Sequence, residues 1–484
     1  MKASTWRHPS AAAVLLCGAC YAGSPSEDGA DSGNDETASG GPGDGPGDGP
    51  GDGPGDGPGD GPGDGPGDGP GDGPGDGPDD GETGPPPVDG PLLDRLEVTD
   101  VPVSGGVREG VSNWRIWGTG SLHVAPVATV PLPSGDTLVG FSTAGAAHVV
   151  HLASDDTPIA ELALADGFEL RGLAAESDDA FGALLWDPAA ERIEVRRFDL
   201  GGVELSSTEL TNPDNTPTDF GIGDSRLEYG DGSYGAYYHV HSDSGHEGDT
   251  LKWVDAATGA ETTGWGWGCS HSMSNLLRFH PDVATFLPAC VTDCFPGTQG
   301  DFAANAIGGI YLNHNDAWVI DVDAGCNGSV AGELGGAAFA PSGWMLVFNA
   351  HQAPATPGQQ SYDPATMNQD IGFAAVGSGL AVDPVVWLTD TPNVDEDDSS
   401  IVRWRPGDDS AEQYVVGWHA AGAHLLARID GAGGFVEDPV DVSAVARWGR
   451  RDDPFRAHQS GDVVWAWFDD PGSTTLHVAR LRAQ

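Results

Sequence analysis

One strand–turn–strand unit recurs seven times in this sequence, and it limits the possible folds more than any other feature. Each copy has a short apolar strand, a tight polar turn and a second apolar strand that ends near an aromatic residue, as in Phe339–Asn349. The seven turns are Ser134–Asp136, Ser177–Asp179, Gly230–Gly232, His280–Asp282, Pro341–Gly343, Gly407–Asp409 and Ser460–Asp462. Such repetition predicts an architecture built from many copies of one β-sheet unit.

A second hairpin follows the first in most copies, as in His148–Leu152 with Ile159–Ala163. Four strands therefore recur together, at intervals of roughly 43 to 66 residues. This spacing predicts the all-β class and a seven-bladed β-propeller. No tryptophan–aspartate or kelch signature is present, so the pattern indicates no particular propeller family.

The last copy has only three clear strands before Gln484. The strand-like residues 107–117 precede the first copy, and we expect them to supply the missing outer strand. Such pairing closes the ring and removes two exposed sheet edges. Residues 91–484 are therefore predicted to form a seven-bladed β-propeller whose N-terminal strand closes the ring.

Residues 21–90 are predicted to be a disordered tether. The chain contains 74 glycines and 37 prolines, and Pro-Gly-Asp-Gly repeats run from Pro42 to Pro78. A segment with so few apolar residues cannot bury enough surface to offset the entropy of ordering it. Its regularly spaced carboxylates also suggest calcium binding, but the closing glutamate of a calcium loop is missing.

Residues 1–20 have the features of an export signal, with Lys2 and Arg7 before the apolar run Ala11–Leu16. The segment Leu16–Cys20 resembles the lipobox of bacterial lipoproteins, in which a cysteine follows small residues. The resemblance implies that Cys20 is acylated and anchors the exported chain in a lipid bilayer, at the outer membrane or cell surface. The alternative is an ordinary secretory signal that is cleaved just after this segment.

Histidines are concentrated where second strands end. In a propeller these ends lie on the face that carries the connections between blades, so imidazoles from several blades are expected to share one rim. Neutral imidazole is a common ligand of divalent transition metals. The candidate metal ligands are His239, His241, His271, His351 and His419.

The predicted domain contains four cysteines, Cys269, Cys290, Cys294 and Cys326. An exported chain meets an oxidising compartment, so two disulfides are expected. Three connectivities are possible, and one of them closes a small loop between Cys290 and Cys294. The acidic run Asp395–Asp398 is expected to be a solvated loop between blades, with a weak calcium site as the alternative.

The formal net charge of −53 argues against nucleic-acid binding, because no basic surface is available to neutralise phosphates. Two functions remain open. The first is a non-catalytic binding or scaffold module for a protein or glycan ligand, which needs no cofactor. The second is a metal-dependent lyase or hydrolase, in which the histidines hold the metal at the mouth of the propeller.

Overall fold

The computed structural model describes residues 90–113, 120–124, 127–210, 215–216, 225–242, 247–269, 274–292, 308–313, 317–323, 332–350, 352, 368–404, 412–449 and 453–483. The predicted signal peptide, Cys20 and the tether up to residue 89 lie outside these residues. Within the described ranges, no helix has the length and apolar character needed to cross a bilayer.

The described strands form seven antiparallel sheets arranged as the blades of a propeller, and one separate hairpin. A 3-10 helix (Leu92–Arg95) and β1 (Leu96–Pro102) come first, followed by β2 (Glu109–Asn113) and β3 (Gly120–Val124), which form the hairpin. Blade 1 contains β4 (Ala128–Pro131), β5 (Thr137–Ser142), β6 (Ala146–Leu152) and β7 (Pro158–Asp166). Blade 2 contains β8 (Glu169–Ala175), β9 (Ala180–Asp187), β10 (Arg192–Asp199) and β11 (Glu204–Glu209). Blade 3 contains β12 (Asn215–Thr216), β13 (Ser225–Gly230), β14 (Ser233–Ser242), β15 (Glu247–Asp255) and β16 (Glu261–Gly268).

The remaining blades have the same order from the innermost strand outwards. Blade 4 contains β17 (Asn275–His280), β18 (Thr285–Thr292), β19 (Gly308–Leu312) and β20 (Ala317–Asp323). Blade 5 contains β21 (Gly332–Ala340), β22 (Gly343–Ala350), β23 (Asp370–Gly377) and β24 (Val386–Trp387). Blade 6 contains β25 (Glu396–Trp404), β26 (Gln413–Ala420), β27 (Ala423–Asp430) and β28 (Phe435–Asp441). Blade 7 contains β29 (Arg456–Ala457), β30 (Val463–Trp467) and β31 (Thr475–Leu481), with β1 as its outermost strand.

The predicted seven-bladed architecture is confirmed. Six of the seven predicted turns join the first and second strands of a blade, and the seventh, Gly407–Asp409, lies outside the described residues. In each blade the first strand begins, and the second strand ends, on the face that carries the connections between blades, here called the connection face. The tight turns lie on the opposite face, here called the turn face.

The prediction of which segment closes the ring is wrong. β1 pairs with β31 from Leu96 opposite Leu481 to Pro102 opposite Thr475, whereas β2, within the predicted segment 107–117, pairs with β3. The role of β1 is difficult to predict from its sequence because only Val101 in this strand is buried. Just before β1, the Arg95 guanidinium donates to the Ala483 carbonyl at 2.9 Å, which fastens the N-terminal segment to the end of the chain.

The core lies between neighbouring blades rather than within one blade. Seven clusters of buried apolar side chains occur, one at each interface, including the interface between blades 7 and 1. All eight residues of the second strand β22 are buried, whereas the outermost strand β11 is mostly exposed. Second strands are largely apolar because a neighbouring blade covers each of their faces.

Candidate functional site

The first strands of the seven blades surround a central cavity of about 460 Å³. Every blade contributes to its wall, from Pro131 in blade 1 to the segment around Arg456 in blade 7. Most of the wall is apolar, with side chains such as Leu173, Ile401 and Phe455. A cavity of this volume with a few convergent polar groups is typical of a small-molecule site.

Charged side chains from three blades lie in this cavity and directly beside it. Arg226 and Glu228 lie two residues apart on β13 and therefore point to the same side of the strand. Arg278 on β17 is buried, and its Nη1 lies 3.5 Å from Glu228 Oε2. Its Nη2 pairs with the carboxylate of buried Asp453, which precedes β29 in blade 7. This ion pair joins blade 4 to blade 7 across the ring.

Arg456 is a half-buried member of the same group, and it contributes a further positive charge. Its side chain makes no hydrogen bond or ion pair with the residues that the structure describes, although it interacts electrostatically with Glu228 and Arg226. A smaller cavity lined by Arg226 shares Leu173 and Arg456 with the larger one. Burial, followed by the charge of Arg456, holds the pKa of Arg278 well below its usual value.

His458 lies on the turn-face side of the cavity, directly after β29. It is 1% exposed, and its Nε2 lies 3.1 Å from Thr137 Oγ1 of blade 1. Burial, assisted by the nearby positive charge of Arg480, lowers the pKa of His458 to about 4. The imidazole is therefore neutral at physiological pH and adds no charge to the cavity.

On the connection face, His419 lies at the end of β26 in blade 6, as expected. Its Nδ1 is 2.9 Å from Asp397 Oδ1, and possible ligand atoms of Asp397, Asp398 and His419 lie within 4.8 Å of one another. The ring of His424, on the adjacent strand, lies 5.2 Å from the His419 ring in a tilted arrangement, and burial is the main reason why the pKa of His424 is lowered to about 4. The carboxylates of Asp397 and Asp398 and the imidazole of His419 are side chains that commonly bind divalent metals.

The other candidate histidines are not part of this group. His239 is buried at the end of β14 in blade 3, opposite Asp249 on β15. His241 pairs in register with Glu247 on the same two strands, and His271 and His351 lie outside the described residues. Among the described residues, His239 belongs to no group of three or more possible metal ligands.

The expectation that Asp395–Asp398 is a solvated loop is wrong. Glu396, Asp397 and Asp398 are buried at the start of β25, where a bulge interrupts pairing with β26. Thr389 and Thr391 donate hydrogen bonds to the Glu396 carboxylate. Burial nevertheless raises the pKa of Glu396. The run starts the first strand of blade 6, and its carboxylates are held by partners inside the protein.

A disulfide joins Cys269, directly after blade 3, to Cys290 on β18 of blade 4. This bond excludes the connectivity that pairs Cys290 with Cys294, and it leaves Cys294 and Cys326 as the remaining pair. Both of those cysteines lie outside the described residues. Beside the bond, Asp249 is fully buried and accepts hydrogen bonds from Tyr237 and Trp265. Burial raises the pKa of Asp249 well above its usual value.

The arginines in and beside the central cavity were not predicted from the sequence. Charged residues within a first strand were the local signal that could have indicated them. A first strand faces the neighbouring blades and the axis of the ring, so it should contain few charges. Arg226, Glu228 and Arg278 break that pattern in β13 and β17. Arg456 gave no such signal, since β29 has only two residues.

No protein-family model and no curated protein matches the sequence of this chain. Several solved structures show a low similarity in fold. The β-propeller domain of the Trilobed protease from Pyrococcus furiosus is 9% identical, with a TM-score of 0.40 over 74% of this chain and 95% of that chain. YCF48 from Cyanidioschyzon merolae is 10% identical, with a TM-score of 0.40 over 80% of this chain and 98% of that one. A Trypanosoma rangeli sialidase is 8% identical, with a TM-score of 0.35 over 68% and 57% of the two chains. Similarity this low implies nothing about the activity of this protein.

Proposed function

We propose that this protein is a non-catalytic binding or scaffold module, exported and held at the cell envelope, that takes a protein or glycan ligand at its propeller. The observation that supports this function is the central cavity of about 460 Å³, which all seven blades line. Its wall combines apolar side chains with convergent guanidinium groups, a combination suited to holding and orienting a ligand.

Binding of the full-length protein to an array of glycans and peptides tests this function. A cavity-filling variant, Ala175→Trp, places an indole on the cavity wall, where Ala175 is half-buried. The matched control Ala189→Trp makes the same change in an exposed turn of blade 2. We expect specific binding that only Ala175→Trp abolishes. Equal binding by both variants, or cleavage of the bound compound, would count against a non-catalytic module that acts through this cavity.

We further propose that Cys20 is acylated and that the tether of residues 21–90 separates the propeller from the membrane. The support is the short apolar run followed by Leu16–Cys20, together with the Pro-Gly-Asp-Gly repeats. Expression in a bacterium that processes lipoproteins, with labelled palmitate, provides the test. We expect label in the wild type and none in Cys20→Ser, which should be released from the membrane fraction. Labelling of both proteins would contradict the proposal.

The grouping of His419 with Asp397 and Asp398 supports a second candidate, a metal-dependent lyase or hydrolase of the envelope. Metal analysis of the full chain distinguishes it from the binding module. Stoichiometric zinc or another transition metal that is lost in His419→Ala, but kept in the exposed control Asp178→Ala, would favour the enzyme. The same trace metal content in all three proteins would remove the reason for this candidate.

A further inference from the structure

Among the described residues, the charged side chains that line the central cavity are opposite in net sign to the protein, with Glu228 against Arg278, Arg403 and Arg456. The chain has only 21 Lys and Arg residues against 74 Asp and Glu, yet Arg226, Arg278 and Arg456 converge inside the ring. Two carboxylates, Glu228 and Asp453, lie among them. Three positive charges against two negative charges leave one positive charge in excess within this group.

We assign the excess positive charge to Arg456. Arg278 already pairs with Asp453 and lies close to Glu228, and its Nη1 also donates to the Leu277 carbonyl at 3.1 Å. Arg456 has neither an ion pair nor a hydrogen bond to the described residues, and it lines both cavities. The two carboxylates offset two of the three positive charges, and the remaining charge is unfavourable in a mostly apolar cavity unless a further anion joins it.

We infer that Arg456 and Arg278, with Arg226 in the smaller cavity beside them, form a binding site for an oxyanion in the central cavity. The site takes a carboxylate, sulfate or phosphate group, whether on a free ion or on a larger acidic ligand. This inference rests on the proposed binding function and specifies the ligand chemistry. A guanidinium presents a planar fork of N–H donors that matches two oxygens of such a group, and a mostly apolar wall strengthens the interaction by lowering the local dielectric constant.

The apolar part of the same cavity suits the body of a small ligand. Leu173, Ile401 and Phe455 line the wall beside the arginines. An acidic ligand bound there neutralises the excess charge and covers apolar surface in one step. The negative charge elsewhere on the protein repels anions in bulk solution, so recognition depends on the fit inside the cavity.

Titration calorimetry and thermal melting of the full-length protein test the site, at one ionic strength fixed with sodium chloride. The probes are D-glucuronate, inorganic phosphate and, as a neutral control, D-glucose. The variant is Arg456→Met, which removes the charge without leaving a described partner unpaired. The matched control is Arg447→Met, which makes the same change at a side chain that is 56% exposed.

We expect glucuronate or phosphate to bind and to raise the melting temperature of the wild type and of Arg447→Met, whereas glucose has no effect. Arg456→Met should bind the anion about tenfold or more weakly, as expected for loss of a charge-assisted hydrogen bond. Without ligand, Arg456→Met should melt at the same temperature as the wild type or higher, because repulsion among the guanidinium groups is relieved. That result also shows that the variant folds.

Comparison of the affinities for glucuronate and phosphate shows which kind of anion the site recognises. A preference for phosphate indicates a site for an inorganic ion, a preference for glucuronate indicates an acidic sugar, and equal affinity indicates that only the oxyanion group is recognised. Absence of binding by either anion, or equal binding by the wild type and Arg456→Met, would overturn the inference. If array binding were still abolished by Ala175→Trp in that case, the proposed binding function would stand without the oxyanion site.

Discussion

Single residues determine how closely neighbouring blades approach one another. Gly182 on β9 faces the ring of Tyr234 on β14, and a Cβ at position 182 would lie 2.4 Å from Tyr234 Cε1. Tyr234 has little room to move, because it is buried and its hydroxyl donates to Glu176 Oε2 at 3.0 Å. The absence of a side chain at residue 182 therefore permits the packing of blade 2 against blade 3.

The variant Gly182→Ala should lower the free energy of unfolding by roughly 1–3 kcal/mol, the usual effect of overpacking a core. Gly145→Ala is the control, because a Cβ at that position meets no atom within 4 Å. Urea denaturation of both variants measures the difference. Equal stability of the two proteins would show that the interface tolerates the extra methyl group.

His458 makes the stability of the propeller depend on pH. Its pKa in the folded protein is about 4, below the value near 6.5 of an unfolded chain. The folded state therefore binds fewer protons over this window, and the stability contributed above pH 6.5 is lost as the pH falls towards 4. The loss from this residue should be on the order of 3 kcal/mol.

The variant His458→Gln keeps a polar side chain near Thr137 but has no group that titrates in this window. Unfolding free energies measured between pH 7 and pH 4 should fall less steeply for this variant than for the wild type. Identical slopes would mean that other groups, such as His424 with its similarly lowered pKa, account for the pH dependence.

At the scale of the element, β1 shows that one strand with few apolar residues can stabilise the closed ring. Val101 is 0% exposed and lies opposite Leu476, in the apolar cluster shared by blades 7 and 1. Val98, on the same strand, is 36% exposed. The pairing of β1 also covers the outer edge of β31, which would otherwise be open to association with another chain.

The variant Val101→Lys should lower the free energy of unfolding by roughly 3 kcal/mol or more, because an unpaired charge is placed in the core. Val98→Lys, with the same change at an exposed position, should have little effect. Denaturant midpoints and size-exclusion chromatography measure stability and self-association. If both variants behaved alike, β1 would not be the strand that closes the ring.

Much of the strand pattern could be predicted from the sequence because its signals are local. The tight turns contain residues that favour turns, such as Gly135, and the second strands are largely apolar because both of their faces are covered. β1 was missed because one buried residue does not produce a detectable pattern. Seven hairpins, counted by their turns, were nevertheless enough to predict the number of blades.

The candidate sites were less predictable because they depend on contacts between distant segments. The position of His419 on the connection face follows from strand order, but its partner Asp397 is placed by a bulge in β25 that has no clear sequence signal. Arg278 and Asp453 are 175 residues apart and meet only when the ring is closed. No local pattern can indicate that convergence.

At the scale of the whole molecule, the ring depends on the contact between its last blade and its first. Arg480 of blade 7 is 1% exposed, and its Nε lies 3.0 Å from Oδ2 of Asp156, a buried residue in a turn of blade 1. The same guanidinium donates to Thr137 Oγ1 at 3.3 Å. This buried ion pair fixes the position of the closing blade relative to the rest of the ring.

The variant Arg480→Met should lower the free energy of unfolding by about 3–5 kcal/mol, because it leaves the Asp156 carboxylate buried without its partner. Adding Asp156→Asn removes that charge, and the double variant should regain part of the stability. Denaturation of the four proteins in a double-mutant cycle measures the coupling. Additive effects would show that the pair does not act as a unit.

The pairing of β1 with β31 also determines where mechanical load enters the propeller. A pull transmitted from the proposed membrane anchor reaches the folded chain at Gly90, and it acts first on the end of β1 where Leu96 lies opposite Leu481. The bond from Arg95 to the Ala483 carbonyl lies at this end and resists peeling of the strand. If the proposed anchor holds the protein at a membrane, tension would therefore strain blade 7 before any other blade.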